Sequence, residues 1–492
     1  MHKKSTGTAS LKINMLMNAI LTMSSFLFPL ITFPYVSRIL LPAGTGKVDF
    51  ASSVITYFSM FAQLGIPTYG IRACAKVRDD KTALSRTVHE LLFINLLMCV
   101  FVYLAFFLSL MTVPRLKQDQ LLFLIMGVSI GLNALGVEWL YKALEQYTYI
   151  TARSIAFKFI ALISMFLLVH EQKDYMIYGG ITIFAASASN ILNFLNLRKH
   201  IFLKPVGNYR IRQHFSMILV FFSMSVATTI YTHLDNVMLG FMRDDTDVGY
   251  YGAAVKIKQI LVSLVTSASA VLLPRASYYV DKGLMEEFFR ILKKTMHFII
   301  LAAFPMAVYF MIFAKEGIFF LSGEAFAGSI LPMQIIMPTL ILIGITNVIG
   351  IQMLVPLGKE RQVLYSEIAG AAVDLILNSI LIPKYAASGA AIGTLAAEFI
   401  VLAWQLAAIR SVPVNLFEDI SFIKIAAASA AACVSCIWVR SCITGNFPVL
   451  LVSAACFFAG YGLILAALKE PFLWELLKNF RPNHKSKDFN KY

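Results

Sequence analysis

A chain of 492 residues that is 59% hydrophobic and 14% charged, with a mean hydropathy of +0.74, is too apolar to fold as a soluble globule. Its net charge of +15 does not indicate a nucleic-acid partner, because Lys and Arg lie in short breaks between long apolar runs rather than on one basic face. Six Cys provide neither a disulfide framework nor a metal site, and the Cys433/Cys436 pair sits in an apolar run without nearby His, as packed thiols do.

The predicted elements are membrane-spanning helices, since a crossing takes roughly 20 apolar residues and hydrocarbon leaves no other way to pair the backbone. Fourteen runs qualify: 14–41, 48–70, 88–112, 120–141, 150–169, 175–197, 213–240, 247–273, 295–314, 330–356, 363–383, 388–410, 421–440 and 448–468. The first follows His2, Lys3, Lys4 and Lys12; it is too long for a signal sequence and lacks a small-residue cleavage pattern, so it reads as a span. Pro29, Pro34, Pro332 and Pro338 are expected to kink their helices.

Charge orients the array. With the N-terminus inside, 30 of the 42 Lys and Arg fall in cytoplasmic segments, nine fall outside, and Lys158, Lys256 and Lys258 lie within spans. That asymmetry fits the positive-inside rule and places both termini in the cytoplasm, with 244–247 outside. A weak repeat runs alongside it: Gly70-Ile71-Arg72-Ala73 matches Leu273-Pro274-Arg275-Ala276 at an offset of 203, and Gly46 matches Gly249 at the same offset. The expected fold class is therefore all-α integral membrane, in two related six-helix lobes (residues 1–200 and 201–412) followed by two helices and a basic tail (413–492). Lobes of this kind rock in an alternating-access cycle.

Three stretches carry a family resemblance. They are Glu138-Trp139-Leu140-Tyr141-Lys142 running on to Tyr149-Ile150-Thr151-Ala152-Arg153-Ser154; Gln352-Met353-Leu354-Val355-Pro356-Leu357-Gly358-Lys359-Glu360; and Asn378-Ser379-Ile380-Leu381-Ile382-Pro383, continuing to Gly393-Thr394 and Glu398. Together they resemble the Wzx-type polysaccharide transporter family of the multidrug/oligosaccharidyl-lipid/polysaccharide exporter superfamily. The resemblance implies a bacterial inner-membrane flippase for an oligosaccharide on undecaprenyl pyrophosphate, a repeat unit of O-antigen or exopolysaccharide. Asp374 departs from the family pattern, which has Asn there.

Charges inside spans are costly and mark functional candidates. Lys158 lies ~12 Å into span five by helical rise, and Lys256 and Lys258 lie at similar depth in span eight. Arg38, Arg72, Arg153 and Arg275 sit near span ends, where they serve either as a cationic cavity for pyrophosphate or as topology anchors. Glu367, Asp374 and Asn378 share one face of span eleven, Glu398 is mid-span in twelve, and Asp235 is toward the end of seven; these are candidates for binding a coupling H⁺ or Na⁺, or for fixing helix packing.

The expected activity is transport without covalent chemistry or cofactor, with membrane lipids and the lipid-linked oligosaccharide as partners, and a polysaccharide polymerase as a possible neighbour. Two alternatives are a multidrug antiporter, which favours an aromatic acidic pocket, and an integral-membrane polymerase or glycosyltransferase, which needs a larger extramembrane loop. The longest outside break is only about fifteen residues, around Lys315 to Ser329, and no nucleotide-binding Gly loop is present.

Overall fold

Apolar runs without a water partner for their backbone close their hydrogen bonds within each segment, and all the regular structure among the described residues is helical. A computed structural model describes residues 11–410, 412, 414–418 and 420–474. Lys3, Lys4 and the basic tail from Lys478 to Lys491 lie outside the described residues. The first helices are α1 (Leu11–Gln63), α2 (Ile66–Lys76), α3 (Lys81–Thr112), α4 (Pro114–Gln118), α5 (Gln120–Leu135), α6 (Glu138–Ala143), α7 (Tyr147–Leu168), α8 (Tyr175–Ile183) and α9 (Ser189–Asn196). They continue with α10 (Arg212–Met242), α11 (Asp245–Asp281), α12 (Met285–Ile312), α13 (Ala314–Ser322), α14 (Ile330–Ile336), α15 (Thr339–Thr346), α16 (Glu360–Ala408), α17 (Phe422–Ile437), α18 (Val439–Cys442) and α19 (Asn446–Ala467). Phe184–Ala188 and Asn347–Leu354 are π-helical turns.

Among the described residues ten helices are long and apolar enough to cross a membrane, or eleven if the pair Glu324–Ile336 and Thr339–Leu354, bent by 46°, is one span. The expected count of fourteen is not reproduced. One reason is continuity: α1 joins the run 14–41 to the run 48–70 as far as Gln63, with a break inside it at Leu41 (φ 58°, ψ 178°), and α16 joins 363–383 to 388–410 as far as Ala408, with a break at Ala386 (φ 49°, ψ −127°). Positive φ costs a non-glycine residue about 1–3 kcal/mol, so both breaks need support from packing. Pro42 follows Leu41, and Pro383 lies three residues before Ala386. Pro29 and Pro34 lie in α1 with no non-helical residue beside them, whereas Pro338 caps α15 at the 46° bend. The run 247–273 is helical within α11, which is not among the ten. The break around Lys315 is itself mostly helix, α13.

One compact unit holds the described residues up to Ala253 with Leu321–Ser329 and Asp374–Ala390. Helix α1 is its axis, flanked by α3, α5, α7 and α10. Faces turned away from the core carry large apolar side chains, as in α3, where Phe93, Leu97, Val100, Leu104, Leu108 and Met111 are exposed while Glu90 and Asn95 are buried. That inside-out pattern belongs to a lipid solvent. Toward one end Trp139, Tyr141 and Ile150 pack with Ile66, Val88 and Leu91, and the fully buried Tyr141 hydroxyl donates to the Asn193 carbonyl at 2.6 Å. The motif around Glu138 thus serves packing. At the start of α3, Asp80 accepts from the N–H groups of Thr82 (2.8 Å) and Ala83 (3.1 Å). Replacing Asp80 with Ala is expected to cost about 1 kcal/mol, read as a lower unfolding midpoint in detergent.

The second unit holds Ala254–Phe320, Ile330–Val373 and the described residues from Ala391 onward. Helices α17 and α19 form its most extensive helix pair. Tyr309 of α12 stacks on Phe313 and reaches the α19 residues Leu450 and Ser453 through its hydroxyl, both at 2.9 Å. Buried His297 and Glu470 meet at 2.5 Å, tying α12 to the segment after α19.

Candidate functional site

Three polar helix faces converge inside the first unit. On α1, Ser52, Thr56, Ser59 and Gln63 recur at spacings of four, three and four, which places them on one stripe. On α5 the pair is Ser129 and Asn133; on α10 it is Ser225 and Thr229. With Ser187 of the π-helical turn they line a cavity of about 400 Å³ that has no charged and no aromatic residue in its wall. Gly65 closes one side: its φ of +71° ends α1, and a Cβ there would lie 2.5 Å from the Phe222 nitrogen, so only glycine lets this turn rest on α10. The π turn is anchored by Ser187 and Asn190, which donate to Asn133 Oδ1 at 3.0 and 3.1 Å.

A second polar cluster is acidic. Asp235 of α10 is buried; it accepts from the Tyr251 hydroxyl and from Asn378 Nδ2 at 2.6 Å. Asp374, one helical turn before Asn378, is also buried, and Tyr57 of α1 lies within electrostatic reach of both acids. Such a cluster can hold a proton or a hard, oxygen-coordinated cation.

One end of the unit is closed by ion pairs. Lys47 reaches Asp119 at 2.7 Å, the Tyr175 hydroxyl donates to the same oxygen at 2.9 Å, and Arg115 pairs with Asp245. The Lys47→Met variant leaves the buried Asp119 carboxylate short of its cation, and is expected to lower stability on the order of 1–3 kcal/mol, because Lys47 itself keeps partial contact with solvent. Thermal unfolding in detergent measures it.

The predicted cations are distributed over both units. In the first, Lys158 donates to Ser24 Oγ and Ser25 Oγ, each at 2.9 Å. Arg153 is buried against Glu138 at 3.4 Å, and Glu138 also holds Lys142 at 2.8 Å. Arg38 donates to the Pro34 carbonyl, and Arg72 is exposed. In the second unit Arg275 is exposed and donates to the Tyr279 hydroxyl at 2.8 Å, Lys256 and Lys258 are half-buried on α11, Glu367 is half-buried and Glu398 is buried. Of the predicted acids, the first unit brings Asp235 and Asp374 together. Sequence reasoning passed over Tyr57, Tyr251 and the whole uncharged cavity. The 4-3-4 spacing of Ser52, Thr56, Ser59 and Gln63 was the available signal.

A polar, uncharged cavity and a buried acidic cluster within lipid-facing helices define a multi-pass membrane protein of transporter type. Comparison with known proteins sharpens that class. Residues 11–280 match the family model described as polysaccharide biosynthesis protein, and the chain belongs to that family. It is 24% identical to a candidate O-antigen transporter of Escherichia coli (strain K12) over 417 residues, covering 82% of this chain and 98% of that one. A candidate O-antigen transporter of Shigella dysenteriae is 23% identical, with 81% and 100% covered. Among solved structures, the lipid II flippase MurJ in an inward closed conformation superposes with a TM-score of 0.75 at 16% identity, covering 94% of this chain and all of that one. An inward-facing multidrug resistance MATE family transporter of the MOP superfamily gives 0.59 at 13% identity, with 82% and 100% covered. The fold is that of this transporter superfamily.

Proposed function

We propose that the protein is a flippase that carries an oligosaccharide on undecaprenyl pyrophosphate from the inner to the outer leaflet of a bacterial cytoplasmic membrane, supplying repeat units for polysaccharide synthesis. The observation that carries this reading is similarity along nearly the full length of two candidate O-antigen transporters. The cavity supports it over a drug antiporter, since its wall offers an organic cation neither carboxylate nor aromatic ring. The cycle is alternating access between two lobes, 1–200 and 201–412, with both termini in the cytoplasm and the Asp244–Asp247 segment outside. Lys158, assisted by Arg38, Arg72, Arg153, Lys256, Lys258 and Arg275, supplies positive charge to the pyrophosphate along its path. Asp235 and Asp374, with Glu367 and Glu398 as further acids, take up H⁺ or Na⁺ as the coupling ion. A polysaccharide polymerase consumes the product on the far side. Deleting the gene should stop surface polymer and leave the lipid-linked repeat unit in the inner leaflet, measured by extraction and mass spectrometry. Normal polymer in the deletion strain contradicts the reading.

A further inference from the structure

We propose that the cavity between α1, α5, the π turn and α10 is the subsite for the sugar part of the cargo, and that it selects neutral sugars; this rests on the flippase reading above. The polar side chains of its wall are hydroxyls and amides, and none carries a charge. Thr56 Oγ1 donates to the Ser52 carbonyl at 2.8 Å, Ser225 Oγ to Phe221 at 3.0 Å, Ser129 Oγ to Met126 at 2.7 Å and Ser187 Oγ to Asn133 Oδ1 at 3.0 Å. Each of these hydroxyls has its proton committed to its own helix or to a neighbouring side chain and turns lone pairs to its surroundings. The wall therefore offers acceptors at these four hydroxyls, and donors at the Ser52, Ser59 and Thr229 hydroxyls and the amide groups of Gln63 and Asn133, with no charged group among them.

A phosphate or a uronic carboxylate brings only acceptors and negative charge. Against a wall without a cation it would exchange its hydration for neutral donors alone, which is costly for an ion. A neutral hexose or N-acetylhexosamine brings several hydroxyl donors for the Ser and Thr oxygens, and its ring or acetyl oxygens accept from the two amides. The cavity's ~400 Å³ lies within the range of small-ligand sites. The charged pyrophosphate belongs elsewhere in the protein, and Lys158 is a first-unit cation that donates to hydroxyls.

The test compares three probes on the full-length protein in nanodiscs: farnesyl pyrophosphate alone, the same lipid bearing one neutral N-acetylhexosamine, and the same lipid bearing a hexuronic acid. Wild type should bind the neutral-sugar probe more tightly than the bare lipid, and the uronic probe no more tightly than the bare lipid. Gln63→Leu and Thr56→Val should each remove roughly three- to ten-fold of the neutral-sugar gain, the weight of one hydrogen bond, and leave bare-lipid binding as it was. Variants that keep the full gain, or a uronic probe that gains as much, overturn the sugar assignment. Wild-type protein that binds neither farnesyl pyrophosphate nor its glycosylated forms counts against the flippase reading itself. A photoreactive azide on the sugar needs no variant: it should label peptides containing residues 52–63 or 225–229, and labelling confined to other peptides overturns the proposal.

Discussion

The Gly249→Val variant is expected to abolish polymer export while the protein remains in the membrane. Gly46 and Gly249, the repeat-related glycines, stand against each other where α1 meets α11. A Cβ on Gly46 would lie 1.7 Å from the Asp245 carbonyl oxygen, and one on Gly249 would lie 2.1 Å from the Pro42 carbonyl oxygen. Both obstacles are backbone, so no side chain can rotate away, and the cost exceeds the roughly 1–3 kcal/mol of ordinary overpacking. Separating the two helices also pulls Asp245 from Arg115 and loosens the end closed by Lys47 and Asp119. We assign that end to the outer face, so the variant should hold it open. A Ser52→Cys probe in a background free of other cysteines should react with an impermeant thiol reagent from outside in Gly249→Val and stay protected in Gly249. Full export by Gly249→Val would mean that the contact is incidental to transport.

The second large effect concerns the acidic cluster. Asp374→Asn keeps the shape and removes the charge, so it should lower gradient-driven transport by about ten-fold or more, as expected for an intramembrane acid that carries the coupling ion, and leave binding of the glycosylated farnesyl pyrophosphate within about two-fold. Asp235→Ala does more, because it removes the carboxylate that accepts from both Tyr251 and Asn378 in a buried setting. Vesicles with an imposed proton or sodium gradient separate coupling from binding. Gradient dependence that survives in a well-folded Asp374→Asn variant removes this residue from the coupling mechanism, and a purely structural role predicts instead that its unfolding midpoint falls with transport and binding together.

Which features the sequence disclosed follows from what lipid makes expensive. Apolar length and the placement of Lys and Arg were legible because hydrocarbon permits few alternatives, and Asp235 and Asp374 stood out because a buried charge is rare. The offset of 203 paired Gly46 with Gly249, although the sequence held no sign that the two would touch. The same sensitivity to charge picked out Arg153, but the sequence held no sign that its guanidinium would pair with Glu138. Ser52, Thr56, Ser59 and Gln63 escaped notice for the opposite reason: Ser and Thr satisfy themselves on the preceding helical turn in any membrane helix, so each alone carries no signal. The breaks at Leu41 and Ala386 were hidden as well, since neither residue favours left-handed φ and only packing around them imposes it.

The central claim, movement of a glycosylated lipid pyrophosphate across a bilayer, is tested most directly in vesicles containing the purified protein. A lipid pyrophosphate bearing a fluorescent neutral oligosaccharide is placed in both leaflets, and a glycosidase that cannot cross the membrane is added outside. The account predicts that the enzyme trims essentially all of the probe in vesicles with the protein and only the outer-leaflet share in vesicles without it. An inner-leaflet share that stays protected in both preparations would contradict it.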